Sequence, residues 1–311
     1  MTDSGTATAP VGSAYLAAED LEQPLAEELA QAGVAVSAWH GRLALSPDPP
    51  FASVWALDVW TAPQLHVVES IKTAAGLLRS QQRNWSAYAP LHHRRAALIE
   101  VCLPPVRARP LRFPEPAPTS HLGAWTLLDR DRMLASSTKS SPFPMGGCRF
   151  EEDRTGPPSR AYLKLWEALT RLGAHPGPGD TCLDLGASPG GWTWVLASMG
   201  ASVRAVDKAP LDPRVAAMPG VEQVTGNAFA VTPEPVDWMV CDVIAYPSRT
   251  LELVERWVAA GTARHIVCTV KFQGDTDHVT AHRFAALPQG RLAHLSYNKH
   301  ELTFFWARPE S

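Results

Sequence analysis

Four charged residues stand in apolar surroundings in the second half of the chain, where together they could move a proton. Lys164 lies in the segment Tyr-Leu-Lys-Leu, Asp242 and Lys271 each end an apolar run, and Glu301 opens the run Leu-Thr-Phe-Phe-Trp. A single charge is costly to bury in such a place, whereas lysines and carboxylates that share one site stabilise each other. A neutral lysine can accept a proton from a hydroxyl, and neighbouring carboxylates can orient it.

The elements predicted around these residues bring them to one edge of a sheet. After a helix at 159–172 we predict strands near 181–186, 202–207, 221–225, 236–242, 264–270, 291–297 and 301–307, and helices near 190–199, 248–260 and 275–286. This alternation favours a doubly wound, largely parallel α/β sheet of seven strands, whose last two strands form an antiparallel hairpin at its edge. Ligands of such sheets bind beyond the carboxyl ends of the parallel strands. Asp242 and Lys271 therefore face that crevice, and Glu301 begins at the same edge.

The glycine-rich segment 181–194 predicts a ligand-binding turn in the same crevice. Its sequence is Thr-Cys-Leu-Asp-Leu-Gly-Ala-Ser-Pro-Gly-Gly-Trp-Thr-Trp, an apolar strand followed by a turn and a helix from Trp192. Glycine lets a ligand approach the backbone, and free N–H groups open the helix. The turn contains neither Gly-Lys-Ser/Thr nor G-x-G-x-x-G, so it predicts neither a triphosphate nor a pyrophosphate site.

Further residues in this half suit a nucleoside. Asp207 closes the second strand, where a carboxylate can accept both ribose hydroxyls. Asn227 follows the third strand and either reads an adenine amino group or caps a turn, and Trp192 either shields the ligand or packs in the core. The predicted cofactor-binding residues are Gly186, Ser188, Pro189, Gly190, Gly191, Trp192, Asp207, Asn227 and Asp242.

The turn D-L-G-x-x-P-G-G-W resembles the S-adenosylmethionine (SAM) loop of the FtsJ-type RNA ribose methyltransferases. That family uses a Lys-Asp-Lys-Glu tetrad in this order, and the segments 159–165, 207–213 and 270–274 are similar to its segments. Segments 141–146, 158–160 and 238–242 look like those of the RlmM-type group within it. The resemblance covers roughly residues 140–307. It implies a Rossmann-like SAM-methyltransferase sheet whose last strand is antiparallel, SAM as the cofactor, and 2′-O-methylation of a cytidine of 23S ribosomal RNA.

The resemblance also implies roles for the tetrad. We expect Lys271 to be the base for the ribose 2′-hydroxyl. Lys164 lies near enough to favour the neutral form of Lys271 or to hold the 2′ oxygen, and Asp242 and Glu301 orient the two lysines. The sulfonium of SAM makes its methyl group reactive without a metal. No Cys/His spacing typical of a metal site occurs, so we expect none.

The first half of the chain predicts a smaller α+β domain. We expect a disordered tail over residues 1–13, a domain over 14–140 and a linker over 141–158, with the methyltransferase domain over 159–311. Within 14–140 we predict a strand and helix over 14–36, strands at 43–45, 54–60 and 96–103, a helix over 64–78 and a strand or hairpin over 125–135. The proline-rich segment 104–118 predicts an extended linker or edge. RlmM-type proteins carry a THUMP-containing RNA-binding region here, so we expect a THUMP-like domain.

An arginine-rich stretch in this first half predicts RNA contacts. Arginine interleaved with aromatic residues, here Trp85 and Tyr88, suits phosphate contacts and base stacking. His92 and His93 lie in the same stretch, and Lys139 and Arg149 could extend it; the stretch could equally be an ordinary solvated face. The predicted RNA-binding residues are Arg79, Arg83, Arg94, Arg95, Arg107, Arg109 and Arg112.

Bulk properties limit the function classes. The net charge of −3 argues against an indiscriminate polyanion binder. The five cysteines form no C-x-x-C pair, and no signal peptide or membrane-length apolar run is present, which favours a cytoplasmic protein that does not contact membranes. Two alternatives to methylation of large-subunit ribosomal RNA stay open: 2′-O-methylation of another RNA such as transfer RNA, or a ribosome-assembly factor that binds RNA and carries a vestigial methyltransferase domain. A small-molecule methyltransferase would lack the paired lysines. The oligomeric state is not predicted.

Overall fold

The computed structural model describes residues 11–106 and 109–309, which form two compact units. The N-terminal unit comprises Met1–Arg109 and Pro118–Cys148, and the C-terminal unit comprises Pro110–Ala117 and Arg149–Ser311, each within the described residues.

The N-terminal unit contains two four-stranded sheets. Their orders are β2-β3-β1-β4 and β5-β8-β7-β6, and β6 with β7 is a parallel pair. Helices α2 and α3 cover one face of the second sheet around Leu78, Trp85 and Trp125, while a second apolar cluster around Leu16, Trp60 and Leu134 joins the two sheets. The elements are β1 (Ser13–Ala17), α1 (Glu22–Gln31), β2 (Ala38–His40), β3 (Leu43–Ser46), β4 (Ala56–Trp60), β5 (Pro63–Val67), α2 (Ile71–Gln81), β6 (Trp85–Ala87), α3 (His93–Val101), β7 (Gly123–Leu127) and β8 (Arg132–Ser136).

Several expectations for this unit need correction. Residues 96–103 were expected to be a strand, but α3 covers most of them, because Ala96, Ile99 and Leu103 recur at helical spacing and pack against the sheet. The expected helix over 64–78 is a strand, β5, followed by α2, which Ser70 caps by accepting the Thr73 N–H at 3.0 Å. The expected tail over residues 1–13 overlaps β1 at Ser13, and residues 1–10 lie outside the described part of the chain.

The C-terminal unit is a seven-stranded mixed sheet in the order β11-β10-β9-β12-β13-β15-β14. The strands β9 to β13 pair in parallel, and β15 runs antiparallel to both of its neighbours, so the predicted α/β sheet with a reversed last strand is confirmed. The elements are α4 (Tyr162–Leu172), β9 (Thr181–Leu185), α5 (Gly191–Ser198), β10 (Ser202–Asp207), α6 (Pro213–Ala216), β11 (Val221–Thr225), β12 (Val236–Cys241), α7 (Pro247–Ala260), β13 (Ala263–Lys271), α8 (His278–Ala285), β14 (Gly290–Ala293) and β15 (Glu301–Ala307).

The division between the units differs from the expected linker over 141–158. Part of the proline-rich segment belongs to the C-terminal unit, because Phe113 stacks on Trp166 of α4 with ring centroids 4.9 Å apart. Leu111 also donates its N–H to the carbonyl of Arg149 at 2.8 Å. Residues 110–117 therefore contribute to the packing of the second unit, and they contain a turn in which the Glu115 N–H donates to the carbonyl of Arg112 at 2.7 Å.

Candidate active site

The four charged residues predicted from the sequence meet at the carboxyl edge of the parallel strands; we call them the charged tetrad. Lys164 Nζ and Lys271 Nζ each lie 2.9 Å from Oδ1 of Asp242, and Lys164 Nζ lies 3.2 Å from Oε1 of Glu301. Lys271 Nζ also donates to the backbone carbonyl of Asp242 at 2.7 Å. One carboxylate thus joins two lysines whose side chains keep 12% and 19% of their surface exposed.

The charges of the tetrad set its protonation states. Burial lowers the pKa of Lys164, but the Asp242 and Glu301 carboxylates outweigh burial, so the pKa lies above its ordinary value. Burial raises the pKa of Asp242, yet Lys164 and Lys271 together bring it below its ordinary value. At neutral pH Lys164 is therefore an ammonium and Asp242 a carboxylate.

Strand register explains why these side chains converge. Lys271 at the end of β13 lies directly opposite Glu301 at the start of β15, so both side chains occupy one face of the sheet. Two residues earlier on the same face, Thr269 donates its hydroxyl to Oδ1 of Asp242 at 2.6 Å. The sequence analysis did not select Thr269, although its period-two spacing from Lys271 was a usable signal.

A second set of polar residues that was not predicted orients the loop before β15. Glu167, three residues after Lys164 on α4, is fully buried and accepts the N–H groups of Ser296 and Tyr297 at 3.0 and 3.2 Å. Asn298 in the same loop donates to Glu301 at 3.2 Å. Glu167 therefore fixes the segment that leads into Glu301, and nothing in the sequence alone indicated its partners.

The glycine-rich loop lies next to the tetrad. Asp242 donates its N–H to the carbonyl of Leu185 at 3.2 Å. Gly186 has a φ of +78°, and a Cβ there would lie 2.9 Å from the Cα of Val243, so this position requires glycine. Gly190 has a φ of +113° and precedes α5, which begins at Gly191. The predicted turn into a helix is thus present.

Three other predicted cofactor residues, Asp207, Trp192 and Asn227, lie in different environments. The two oxygens of Asp207 accept the N–H groups of Ser188 at 3.0 Å and Ala209 at 2.9 Å, so this half-buried carboxylate faces the loop. Trp192 is buried and donates its indole N–H to Ala161, which agrees with packing in the core. Asn227 is exposed, and its Oδ1 accepts the N–H of Phe229 at 3.2 Å as a turn cap.

Asp184 is a third buried carboxylate of this unit, and the sequence analysis gave it no role. It has no exposed surface and accepts the hydroxyl of Thr193 at 2.6 Å, while its Oδ1 has no partner among the described residues. Burial, with no lysine nearby to oppose it, raises the pKa of Asp184 to about 7. Such a pKa places the titration of Asp184 near neutral pH, beside the glycine-rich loop.

The predicted RNA-binding arginines are mostly exposed but do not share one unit. Arg112 belongs to the C-terminal unit and pairs with Glu151 at 2.8 Å. Arg95 is half-buried, and Arg107 lies outside the described residues. Of the predicted residues, four are exposed and belong to the N-terminal unit: Arg79, Arg83, Arg94 and Arg109.

The aromatic residues expected among them do not face solvent. Trp85 is buried and donates its indole N–H to the carbonyl of Leu78, and Tyr88 is buried with its hydroxyl accepting the N–H of Arg42. Lys139, expected to extend the basic stretch, is also buried and pairs with Asp58. Base stacking on Trp85 and Tyr88 was therefore a wrong expectation, because both rings fill the cores around the second sheet.

The C-terminal unit contains a segment that is similar to a known protein family. Residues 157–278 match the family described as FtsJ-like methyltransferase. The predicted resemblance is confirmed. The matched segment contains Lys164, Asp242 and Lys271 and ends before Glu301.

Relatives of the chain carry the name ribosomal RNA large subunit methyltransferase M. The protein of Azoarcus sp. (strain BH72) is 41% identical over 44% of this chain and 40% of its own length. Those of Halorhodospira halophila (38% identical) and Laribacter hongkongensis (34% identical) cover 54% and 58% of this chain and 52% and 57% of their own lengths. The chain thus spans about half the length of the curated relatives it matches.

Among residues 11–106 and 109–309, no helix combines the length and apolarity needed to cross a membrane. The same part of the chain holds no group of three or more His, Cys, Asp and Glu side chains arranged to bind a metal ion.

Proposed function

We propose that the chain transfers the methyl group of SAM to a ribose 2′-hydroxyl of RNA, and that the acceptor is a cytidine of 23S ribosomal RNA or its large-subunit precursor. The observation that carries the proposal is the pair of lysines joined by Asp242 beside the glycine-rich loop. The names of the relatives support ribosomal RNA as the substrate class. The cytidine is what the RlmM-type resemblance implies, and this substrate implies a cytoplasmic reaction.

The glycine-rich loop and its neighbours fit SAM. The N–H groups of Gly191 and Trp192 in the first turn of α5 have no intrahelical acceptors and suit a carboxylate. Each oxygen of Asp207 has one backbone donor, which leaves lone pairs for two ribose hydroxyls. Asn227 is the proposed contact of the adenine amino group. When bound, SAM supplies an electrophilic methyl group on a positively charged sulfonium.

Lys271 is the proposed base. A ribose hydroxyl loses its proton far above neutral pH, so attack on a methyl group is helped by a base within hydrogen-bond reach. Asp242 holds the Lys271 amine through its side chain and its backbone carbonyl, and the Lys271 side chain keeps 19% of its surface exposed. This arrangement fixes the amine where it can take the proton of the hydroxyl.

The other members of the tetrad hold the reacting oxygen in place. Because its pKa is raised, Lys164 stays protonated and can donate to the 2′ oxygen as negative charge develops there. Asp242 orients both lysines, and Glu301 orients Lys164 and balances its charge. Much of the rate should come from the alignment of the oxygen with the methyl group.

The N-terminal unit is the proposed THUMP-like RNA-binding part. Its exposed arginines suit contacts to phosphates, which carry most of the affinity for RNA and make it depend on salt. We propose the same role for Arg95, for Arg107 and for Arg112 of the C-terminal unit.

The experiment that tests this function is methyl transfer from tritium-labelled SAM to total RNA of a strain that lacks the gene. We expect label in the large-subunit ribosomal RNA. Label in transfer RNA would support RNA methylation but would show that transfer RNA, and not ribosomal RNA, is the substrate. SAM binding without label in any RNA or ribosomal particle would refute the proposed activity in favour of an RNA-binding factor.

A further inference from the structure

The loop after Asp242 exposes two large apolar side chains beside the charged tetrad. Ile244 is 78% exposed and Tyr246 is 65% exposed, whereas Ala245 and Pro247 are buried. This alternation places Ile244 and Tyr246 on one side of an extended segment. Among the described residues of the C-terminal unit, only Val279 on α8 is another large apolar side chain of comparable exposure.

The position of this loop is fixed by its ends. Val243 packs against Gly186 of the glycine-rich loop, and the carbonyl of Tyr246 accepts the N–H groups of Arg249 and Thr250 at 3.1 and 3.2 Å. From the reach of an extended chain, the Cα of Ile244 lies at most about 7 Å from that of Asp242 and the Cα of Tyr246 at most about 14 Å. A nucleotide whose ribose lies at the tetrad is therefore within reach of these two side chains.

We propose that Ile244 and Tyr246 form a platform on which the base of the methylated nucleotide lies. The inference rests on the proposed function, because the occupant must bring its ribose to the tetrad. Single-stranded RNA is commonly recognised by bases that unstack and lie on aromatic or aliphatic side chains. The segment Val-Ile-Ala-Tyr-Pro carries no charge that would repel RNA, and exposed Arg249 follows it.

The platform makes a specific kinetic prediction. Stacking is the same before and during methyl transfer, so its loss should act on KM for RNA rather than on kcat. Replacing Tyr246→Ala should raise KM for protein-free large-subunit ribosomal RNA about tenfold, which equals about 1.4 kcal/mol, and leave the Kd of SAM unchanged. Tyr246→Phe keeps the ring and should behave as the unaltered protein does. Val279→Ala, which removes an equally exposed side chain from α8, is the matched control.

A binding measurement separates this inference from the proposed function. The probe is a fluorescein-labelled oligocytidylate of eight nucleotides, followed by anisotropy at low salt. Weaker binding of the probe by Tyr246→Ala than by Tyr246→Phe supports the platform, even if the unaltered protein methylates no RNA. Equal binding of the probe by these two variants would overturn it whether or not methylation occurs, and so would equal KM values where methylation is measured. A defect seen only on ribosomal particles would also overturn it, since it would assign the loop to a protein contact.

Discussion

Two lysine–carboxylate clusters, one in each unit, show how differently the same pair of groups can be used. In the N-terminal unit Lys139 lies 2.8 Å from Asp58, and their side chains are 1% and 0% exposed. Lys139 also donates to the carbonyls of Ser141 and Phe143. In the C-terminal unit the tetrad keeps 10–19% of each side chain exposed. The first cluster is closed and holds the segment 139–143 to β4, whereas the second is open to a ligand.

The pKa values of three buried carboxylates follow the number of neighbouring lysines. Asp184 has none, and burial raises its pKa to about 7. Asp58 has one, and burial still raises its pKa against the pull of Lys139. Asp242 has two, which outweigh burial and lower its pKa. A second lysine therefore decides whether a buried carboxylate stays charged, and the charged Asp242 orients both lysines of the tetrad.

The largest expected effect belongs to the open cluster. Lys271→Ala should lower the rate of RNA methylation by about 10²- to 10⁴-fold, the usual contribution of a positioned base, with the Kd of SAM and the unfolding midpoint little changed. Single-turnover transfer of labelled methyl to large-subunit RNA measures it. Lys208→Ala, at an exposed lysine of the same unit, is the control. An unchanged rate in Lys271→Ala would remove Lys271 as the base.

The closed cluster should respond in stability instead. Lys139→Met leaves Asp58 buried without its cation, which should lower the free energy of unfolding by about 3–5 kcal/mol, while kcat per folded molecule stays the same. Urea unfolding measures the change. The double variant Lys139→Met with Asp58→Leu should recover much of the loss. Loss of methylation by fully folded Lys139→Met protein would contradict the purely structural role of the Lys139–Asp58 cluster.

Asp184 extends the comparison to a carboxylate without a lysine. Because its folded pKa is raised, its contribution to stability is present below its unfolded pKa near 3.9 and is lost as the pH rises towards about 7. Between pH 5 and pH 8 this loss amounts to roughly 2.5 kcal/mol. Asp184→Asn should flatten that dependence, as measured by urea unfolding at the two pH values. A variant with the same slope as the unaltered protein would place the titration elsewhere.

The smallest effect concerns the hydrogen bond that supports the open cluster. Thr269→Val keeps the shape of the side chain but removes the donor to Asp242, which should lower kcat about tenfold, or about 1.4 kcal/mol. Thr170→Val is the matched control, since the buried Thr170 hydroxyl has no partner among the described residues. Equal kcat values in the two variants would show that Thr269 does not orient Asp242.

The two units also differ in how well the sequence predicted them. In the C-terminal unit the strand–helix alternation and the four charged strand-end or helix residues were sufficient to predict the sheet and the meeting of the tetrad, because parallel strands end at one edge. In the N-terminal unit we assigned residues 96–103 to a strand. A short apolar run is compatible with both the strand and the helix periodicity until its packing partner is known.

What escaped prediction depends on tertiary contacts. The Glu167 carboxylate accepts the backbone N–H groups of Ser296 and Tyr297, some 130 residues later in the chain. The buried Trp85 donates its indole N–H to the carbonyl of Leu78. Neither arrangement follows from local residue types. The sequence did not predict that Ile244 and Tyr246 are exposed, because large apolar residues are more often buried in a core.

The proposed function requires the tetrad to act on a ribose hydroxyl of RNA. Its most direct test is nuclease digestion of large-subunit RNA methylated by the purified protein with labelled SAM, followed by mass spectrometry of the nucleosides. We expect label in 2′-O-methylcytidine. Label on a base, or in no nucleoside at all while SAM binds, would contradict it.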